Sequence, residues 1–133
     1  MLKKKLVMEK IHIEETKNTP SIIFDFDEGM LELKGRSIPE DSISFYEPIF
    51  DAVDRYAAAP KAATKVVIQL EYFSTSSSKC ILDLFKKLEA IHKAGSPVTI
   101  NWLYEEKDED MREAGIDYES IVDVPFKMVQ IEE

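Results

Sequence analysis

Five consecutive hydroxyl residues are the feature of this sequence whose types and spacing could do chemistry. They are Ser74, Thr75, Ser76, Ser77 and Ser78, followed by Lys79. A β-branched apolar run, residues 65–73, precedes them and an apolar stripe at helical spacing follows from Ile81, which places them in a loop and the first turn of a helix. Ligands of open α/β sheets bind at such places, and helix N-termini stabilise anions through free N–H groups and the helix dipole. The pattern therefore predicts a position suited to a phosphate.

One helix cap does not account for the whole run. Serine and threonine are favoured N-cap residues and contribute about 1 kcal/mol there, but a cap uses a single hydroxyl. A bound nucleotide is poorly supported, because the run contains no glycine-rich phosphate loop. Covalent phosphorylation uses the same helix geometry without needing a pocket. The residues alone thus favour a phosphorylation site over a nucleotide site.

A second constellation, Asp25 and Asp27 after an apolar run, resembles the Asp-x-Asp motif of haloacid-dehalogenase phosphatases. In that motif one carboxylate is the nucleophile and the other the general acid. Here Gly29 stands one position late, the following threonine is absent, and the chain continues into another strand-like run. We therefore expect Asp25 to be an outward-facing strand residue and Asp27 a turn residue, and keep a small Mg-dependent phosphatase as the enzymatic alternative.

The remaining polar residues do not form a metal or cofactor motif. The acidic run 105–110 lacks the ligand spacing and glycine of a calcium loop, so we interpret it as a solvated helix start that could contact a basic partner. His12 and His92 lie far apart, without the cysteine or carboxylate pattern of a zinc site. We predict no metal and no cofactor.

Composition limits the possible partners. The chain has 133 residues, 17 Lys+Arg and 26 Asp+Glu, and a formal charge of −9, a field that repels nucleic acid and anionic membranes. No apolar run approaches the roughly 18 residues of a membrane span, and the start lacks the apolar core of a secretory signal. The lone Cys80 lies on an apolar helical face and is expected to be a buried thiol suited to a reducing cytoplasm. We predict one cytoplasmic domain, residues 1–133, with protein partners.

The hydrophobic pattern predicts an α/β fold in the order β-β-β-α-β-α-β-α-β. Expected elements are a strand at 6–13, a hairpin around Gly29, a helix at about 40–58, a strand at 65–73, a helix ending at Gly95, a strand at 98–104, a helix carrying Met111 to Ile121, and a last strand ending at Ile131. Strands separated by single helices need crossovers, so a partly parallel sheet should carry the hairpin as antiparallel strands at one side.

Several local expectations accompany this order. Ser37 and Glu40 have capping-box spacing, and Pro48 should kink or restart the helix, which could expose Phe45 and Tyr46. Gly115 should interrupt or end the first segment of the third helix. Alternation places Tyr72 on one face with Val66, Ile68 and Leu70 and places Phe73 on the other, and we expect Tyr72, Phe73 and Trp102 to be core aromatics.

Three stretches of the chain resemble successive signatures of one family. They are TPSIIFDFDEGMLELKGRSIPEDSISFYEPI, LEYFSTSSSK and EEKDEDMREAG. In this order they resemble the motifs of the SiaC-like family of bacterial regulators, and together they cover nearly the whole chain. Proteins of that family have a fold similar to the STAS domain of anti-sigma-factor antagonists, so the resemblance implies a single STAS-like domain.

The resemblance also implies roles for individual residues and partners. Thr75 matches the family's phosphorylated threonine, which implies a dedicated protein kinase, a PP2C-type phosphatase, and a diguanylate cyclase activated by the unphosphorylated form. Its output would be cyclic-di-GMP signalling and biofilm regulation. Ser74 stands where the family usually has asparagine, which makes Ser74 or Ser76 a second candidate acceptor. The resemblance therefore implies a non-enzymatic switch. The neighbours that would support the phosphorylation site at Thr75 are Ser74, Ser76, Ser77, Ser78 and Lys79.

Overall fold

A computed structural model describes residues 10–132 of the chain. Six strands and three helices follow one another in the predicted order. The strands are β1 (Lys10–Ile13), β2 (Ser21–Asp25), β3 (Met30–Ser37), β4 (Thr64–Phe73), β5 (Val98–Glu105) and β6 (Phe126–Ile131). The helices are α1 (Ser42–Ala57), α2 (Thr75–Lys93) and α3 (Glu109–Ile121). The part of the first predicted strand before Lys10 lies outside the described residues.

The six strands form one mixed sheet in sequence order, β1-β2-β3-β4-β5-β6. The pairs β1-β2 and β2-β3 are antiparallel, whereas β3-β4, β4-β5 and β5-β6 are parallel. Each parallel step contains one helix, as a crossover requires. The predicted mixed α/β architecture, with its antiparallel strands at one side, is confirmed. Because these four strands are parallel, they end at the same edge of the sheet, here called the carboxyl edge. They are β3, β4, β5 and β6.

The helices cover one face of the sheet. In-register pairing aligns the buried side chains of neighbouring strands on that face, for example Leu31 with Val66 and Val66 with Ile100. The ring of Tyr56 in α1 lies 5.3 Å from that of Phe24 in β2. On the other side of the core, rings from α2 and α3 surround Trp102, which is fully buried. The opposite face carries half-buried and exposed side chains, such as the exposed Lys34 of β3.

A bulge near the end of β4 changes which aromatic residue enters the core. Arg36 pairs with Tyr72 although Gly35 pairs with Leu70, so Glu71 is an extra residue in β4. The extra residue reverses the alternation. Tyr72 therefore points outward, 52% exposed beneath the Arg36 guanidinium, and the prediction that it is a core residue is wrong. Phe73 turns inward instead and packs on Trp102, with ring centroids 6.3 Å apart.

Gly115 does not interrupt α3, contrary to expectation. It lies within an unbroken helix and faces the indole of Trp102. A Cβ at this position would fall 2.6 Å from Trp102 Nε1 and 2.8 Å from Met128 Cε. The glycine is thus required by the close approach of α3 to the sheet, not by a helix end. The same indole N–H donates to the carbonyl of Met111 at 2.9 Å, which fixes the helix at this distance.

The start of α1 and its proline also differ from expectation. Asp41, not Ser37, is the N-cap, and its carboxylate accepts from the Ser44 N–H at 3.1 Å. This hydrogen bond, together with one donated by the Ser44 hydroxyl, lowers the pKa of Asp41. The helix continues through Pro48 without the predicted restart. Tyr46 and Ile49 on either side of the proline are buried in the same core, which offsets the lost backbone bond, so Tyr46 forms no exposed patch.

Candidate functional site: a hydroxyl cluster at two helix starts

The hydroxyl run lies where two strands end and two helices begin. β3 ends at Ser37 and β4 ends at Phe73, both at the carboxyl edge. Ser74 follows β4, its N–H donates to the Ser37 carbonyl at 2.9 Å, and its side chain caps α2 by accepting from the Ser77 N–H at 3.1 Å. The predicted loop and helix start are confirmed, with Ser74 as the N-cap and Thr75 as the first helical residue.

Ser77 forms the buried part of the cluster. Its hydroxyl lies 2.8 Å from Ser37 Oγ, and Ser37 Oγ lies 2.7 Å from the phenol oxygen of Tyr46. All three side chains are fully buried. Burial raises the pKa of Tyr46 to about 12, so the phenol stays protonated and can serve this network as a neutral donor. Ser77 is therefore a structural residue that joins α2 to β3 and α1.

Ser76 ties the two helix starts together. Its hydroxyl lies 2.8 Å from that of Ser42, the first residue of α1, and 3.2 Å from that of Ser74. Ser42 is buried, whereas Ser76 is exposed. Two partners hold the Ser76 oxygen against the neighbouring helix, which makes it a poorer acceptor of a phosphoryl group than a free hydroxyl.

Thr75 differs from its four neighbours. It is exposed, and within residues 10–132 its side-chain hydroxyl makes no hydrogen bond. The Ser78 hydroxyl donates to the Thr75 carbonyl at 2.7 Å, and the Ser78 carbonyl accepts from the Tyr118 phenol at 2.8 Å. Burial raises the pKa of Tyr118, so it too remains a donor. Among the five hydroxyls of the run, Thr75 alone is unconstrained in the described part of the chain.

Replacing Ser37 by alanine tests the buried part of the cluster. The change removes the partner of the Tyr46 phenol and one partner of Ser77, and an unsatisfied buried polar group costs about 1–3 kcal/mol. We expect urea denaturation to show a loss of that size for Ser37→Ala. The control is Ser120→Ala on the exposed side of α3, expected to stay within about 0.5 kcal/mol of the parent. Equal stability of the two variants would contradict the assigned network.

The two aspartates of the alternative site lie at the other edge of the sheet. Asp25 is the last residue of β2, half-buried on the outward side, and its carboxylate accepts from the Glu28 N–H at 3.1 Å. Asp27 is exposed in the turn, 3.7 Å from the Lys61 ammonium. Gly29 closes the turn with φ +67, and β3 follows. Both placements match the strand and turn roles expected for these residues, and neither carboxylate lies near Thr75.

The other polar features have local roles. The acidic run leads into α3: Asp108 is its N-cap and accepts from the Met111 N–H at 3.0 Å. Cys80 is buried, and burial, followed by the charges of Asp83 and Asp41, raises the pKa of its thiol. In residues 10–132 no group of three or more His, Cys, Asp or Glu side chains could hold a metal ion. Within the same residues no helix is long and apolar enough to cross a membrane.

The sequence reasoning missed the residues that position the run. The sequence pattern predicts a helix cap at Ser37 and does not indicate that Ser42 or Tyr46 lies near Ser76 and Ser77. A usable signal for Ser37 was its alternation with Leu31 and Leu33, which places it on the buried face of β3. These contacts could not be inferred, because Ser42 of α1 is 34 residues from Ser76 in the chain and Ser37 of β3 is 40 residues from Ser77.

The fold and the cluster define a small α/β domain that presents one free hydroxyl at the start of a central helix. A family model, the SiaC family of regulatory phosphoproteins, matches residues 13–131, and the chain belongs to that family. A curated Pseudomonas aeruginosa protein (strain UCBPP-PA14), described as uncharacterized, is 32% identical over 119 residues, covering 90% of this chain and 94% of that protein.

Two solved structures are similar over almost the whole fold. SiaC of Pseudomonas aeruginosa aligns with a TM-score of 0.85 at 30% identity, covering 93% of this chain and 100% of that chain. A chain in the crystal structure of the diguanylate cyclase SiaD with its activator SiaC, from Pseudomonas aeruginosa, aligns with a TM-score of 0.86 at 30% identity, covering 91% and 99%. In that complex SiaC is the activator of the cyclase.

Proposed function

We propose that this protein is a non-enzymatic switch in which reversible phosphorylation of Thr75 controls the binding and activation of a diguanylate cyclase. The observation that carries the proposal is the contrast within the hydroxyl run. Thr75 is exposed and unbonded among the described residues, whereas Ser74, Ser76, Ser77 and Ser78 are engaged in capping or hydrogen bonds. This contrast also favours Thr75 over Ser74 and Ser76 as the acceptor.

The free protein can accommodate the phosphate. The first two amides of α2, those of Thr75 and Ser76, have no acceptor within residues 10–132, and the helix dipole favours a negative charge beside them. Phosphorylation adds about 1.5 to 2 negative charges and three acceptor oxygens. The helix start compensates much of that charge, so the phosphorylated domain remains folded.

The phosphate is unfavourable for a partner that covers Thr75. Its surface is complementary to a small neutral hydroxyl, and a buried dianion without new partners is costly. A ten-thousand-fold shift in the ratio of bound to free protein requires only about 5.5 kcal/mol of differential affinity. We therefore infer that the unphosphorylated form binds and activates the cyclase, as SiaC activates SiaD in Pseudomonas aeruginosa.

Two further partners belong to the proposed switch. The family resemblance implies a protein kinase that would place the phosphoryl group on Thr75 and a PP2C-type phosphatase that would remove it. Both need access to residue 75 at the carboxyl edge, where the side chain is exposed. The cyclase competes with both for this edge, so bound cyclase is expected to slow modification and removal alike.

The test combines mapping of the phosphate with a titration of activity. Protein purified from its native host is analysed by intact mass and fragment mapping, and we expect one phosphate, on Thr75. Each diguanylate cyclase of the host is then titrated with the phosphorylated protein and with the same protein after PP2C treatment, and cyclic-di-GMP formation is measured. We expect one cyclase to be activated by the dephosphorylated form only.

Asp25→Asn is the control, because Asp25 lies at the opposite edge and should not affect activation. A phosphate mapped to another hydroxyl would refute Thr75 as the site. Equal activation by both forms would refute the switch. If the protein hydrolyses a generic phosphate ester with Mg²⁺ and Asp25→Asn abolishes that activity, the phosphatase alternative would replace the switch.

A further inference from the structure

The sheet carries helices on one face only. Within residues 10–132 the three helices pack on the same face, and the opposite face, here called the open face, has no helix on it. Four consecutive strands, β3 to β6, are parallel. Parallel sheets occur almost only with both faces covered, because their strands are apolar on both sides. The open face therefore lacks the second layer that such a sheet usually has.

Aliphatic side chains lie along the middle of the open face. Leu103 and Val129 are paired across β5 and β6, and each lies between residues that face the helices. Val67 has the same position in β4, beside Asn101 of β5. These side chains are half-buried by their neighbours and still have free surface. The aliphatic residues of this strip are Ile23, Val67, Leu103, Val129 and Ile131.

The charges around this strip are separated along the strand direction. Lys65 and Lys127 lie toward the edge where the parallel strands begin, here called the amino edge, and line a depression of about 500 Å³. Glu71 and Glu105 lie at the carboxyl edge and, with Asp108, line a depression of about 220 Å³. Within residues 10–132 none of these five side chains forms an ion pair. In this part of the open face, one edge offers free cations and the other free carboxylates.

The open face as a whole is close to neutral, although the chain carries a formal charge of −9. Alternation and pairing direct nine charged strand residues to it, five cationic and four anionic. Two copies of so acidic a chain repel each other at long range, but the local repulsion is weak where these faces meet. The nine residues are Lys10, Lys34, Arg36, Lys65, Lys127, Asp25, Glu32, Glu71 and Glu105.

We propose that the open face binds a second copy of this chain, sheet against sheet, in an antiparallel dimer. A two-fold axis in the plane of the sheet and perpendicular to the strands sets the amino edge of each copy against the carboxyl edge of the other. Lys65 and Lys127 of each copy then lie opposite Glu71 and Glu105 of the second copy. A two-fold axis parallel to the strands would instead set lysines against lysines, so the charge pattern selects the antiparallel arrangement.

The dimensions of the face indicate a weak dimer. Stacked sheets pack about 10 Å apart, a gap that the aliphatic strip of both copies can fill. Six strands of about six residues give a face of about 29 by 20 Å, which puts the total buried area near the lower limit of stable interfaces. We expect a dissociation constant in the micromolar range. The helices of both copies lie outside, so Thr75 remains accessible and the dimer does not depend on the proposed function.

The test is sedimentation velocity of the purified unphosphorylated protein over a series of concentrations. We expect a monomer–dimer equilibrium in the parent. Lys127→Glu and Glu105→Lys should each weaken the dimer about tenfold or more, because the symmetry repeats each like-charge contact twice. An equimolar mixture of the two variants should dimerise like the parent, since one copy then carries carboxylates at both positions and the other carries ammonium groups at both.

Lys79→Glu is the matched control, because Lys79 is an exposed lysine of α2, on the helix side of the sheet. This variant and the protein phosphorylated on Thr75 should both dimerise like the parent. A parent that stays monomeric up to about 1 mM would overturn the second copy as the occupant of the open face. Single variants that dimerise like the parent, or a mixture that associates no better than either variant alone, would overturn the antiparallel contact. None of these outcomes involves the cyclase titration, which judges the switch separately.

Discussion

Thr75→Ala is expected to hold the protein permanently in its cyclase-binding state while leaving its stability unchanged. The side chain is exposed and makes no hydrogen bond within residues 10–132, so the free energy of unfolding should stay within about 0.5 kcal/mol of the parent. Without a hydroxyl at this position the kinase has no acceptor, because the neighbouring hydroxyls are held by Ser37, Ser42 and the α2 backbone. Cyclic-di-GMP formation in the presence of kinase and ATP should then be as high as without them.

Thr75→Asp gives the opposite functional result together with a distinctive effect on folding. A carboxylate at the first helical position interacts favourably with the helix dipole by about 0.3–1 kcal/mol, so this variant should unfold at slightly higher urea concentration than the parent. Its affinity for the cyclase should nevertheless fall, though less than on phosphorylation, because one charge replaces nearly two. A gain in stability combined with a loss of binding separates a switch from simple misfolding.

Ala62→Asp is the matched control, since it adds the same charge at an exposed position of the loop between α1 and β4, away from the carboxyl edge. It should bind the cyclase like the parent. The assignment of Thr75 would be refuted if Thr75→Ala and Thr75→Asp both bound as tightly as the parent. It would also be refuted if kinase and ATP still lowered the activity supported by Thr75→Ala.

Gly115 is a position at which a small substitution should have a large effect on folding. In an exposed helix, glycine to alanine gains about 1 kcal/mol. Here the new Cβ would meet Trp102 Nε1 at 2.6 Å, and both groups are held in the core. Overpacking costs about 1–3 kcal/mol or more, so Gly115→Ala should destabilise despite its better propensity, and Gly115→Val should destabilise by at least about 3 kcal/mol. Chemical denaturation measures both.

A double-mutant cycle identifies the cause. Trp102→Phe removes the pyrrole atoms that Gly115 faces, so the penalty of Gly115→Ala should shrink in that background, even though Trp102→Phe is itself destabilising. Glu113→Ala, an exposed substitution on the same helix, should change the unfolding free energy by no more than about 0.5 kcal/mol. A stabilised Gly115→Ala would contradict the packing described for α3.

The sequence was sufficient for the order of elements but not for the places where tertiary contacts override local pattern. Periodicity identified every strand and helix of the described region, because each buries one face. Pro48 and Gly115 were read by their intrinsic propensities as helix breakers, yet core packing retains the first and the approach to Trp102 requires the second. Alternation predicts an inward Tyr72, because the local pattern does not indicate the extra residue at Glu71.

For the candidate site, the location was predictable and the internal arrangement was not. A hydroxyl run between a strand and a helix indicates a helix start, and the structure places Ser74 at the cap and Thr75 in the first turn. Which hydroxyl remains free depends on partners from β3 and α1, distant in the sequence. Five chemically similar side chains thus acquire different roles only when the sheet has brought those elements together.

The bulge at Glu71 has a consequence for how this chain can change in length. Successive strand residues face opposite sides, and successive helix residues turn by about 100°. Deleting Glu71 would remove the bulge and leave Phe73 two residues after Leu70, so Phe73 would still face the core and Thr75 would still start α2 at the carboxyl edge. The stretch before the hydroxyl run can therefore lose its extra residue without a change in the direction of α2, whereas a deletion within Thr64–Leu70, where the ladder is regular, would turn buried residues of β4 outward.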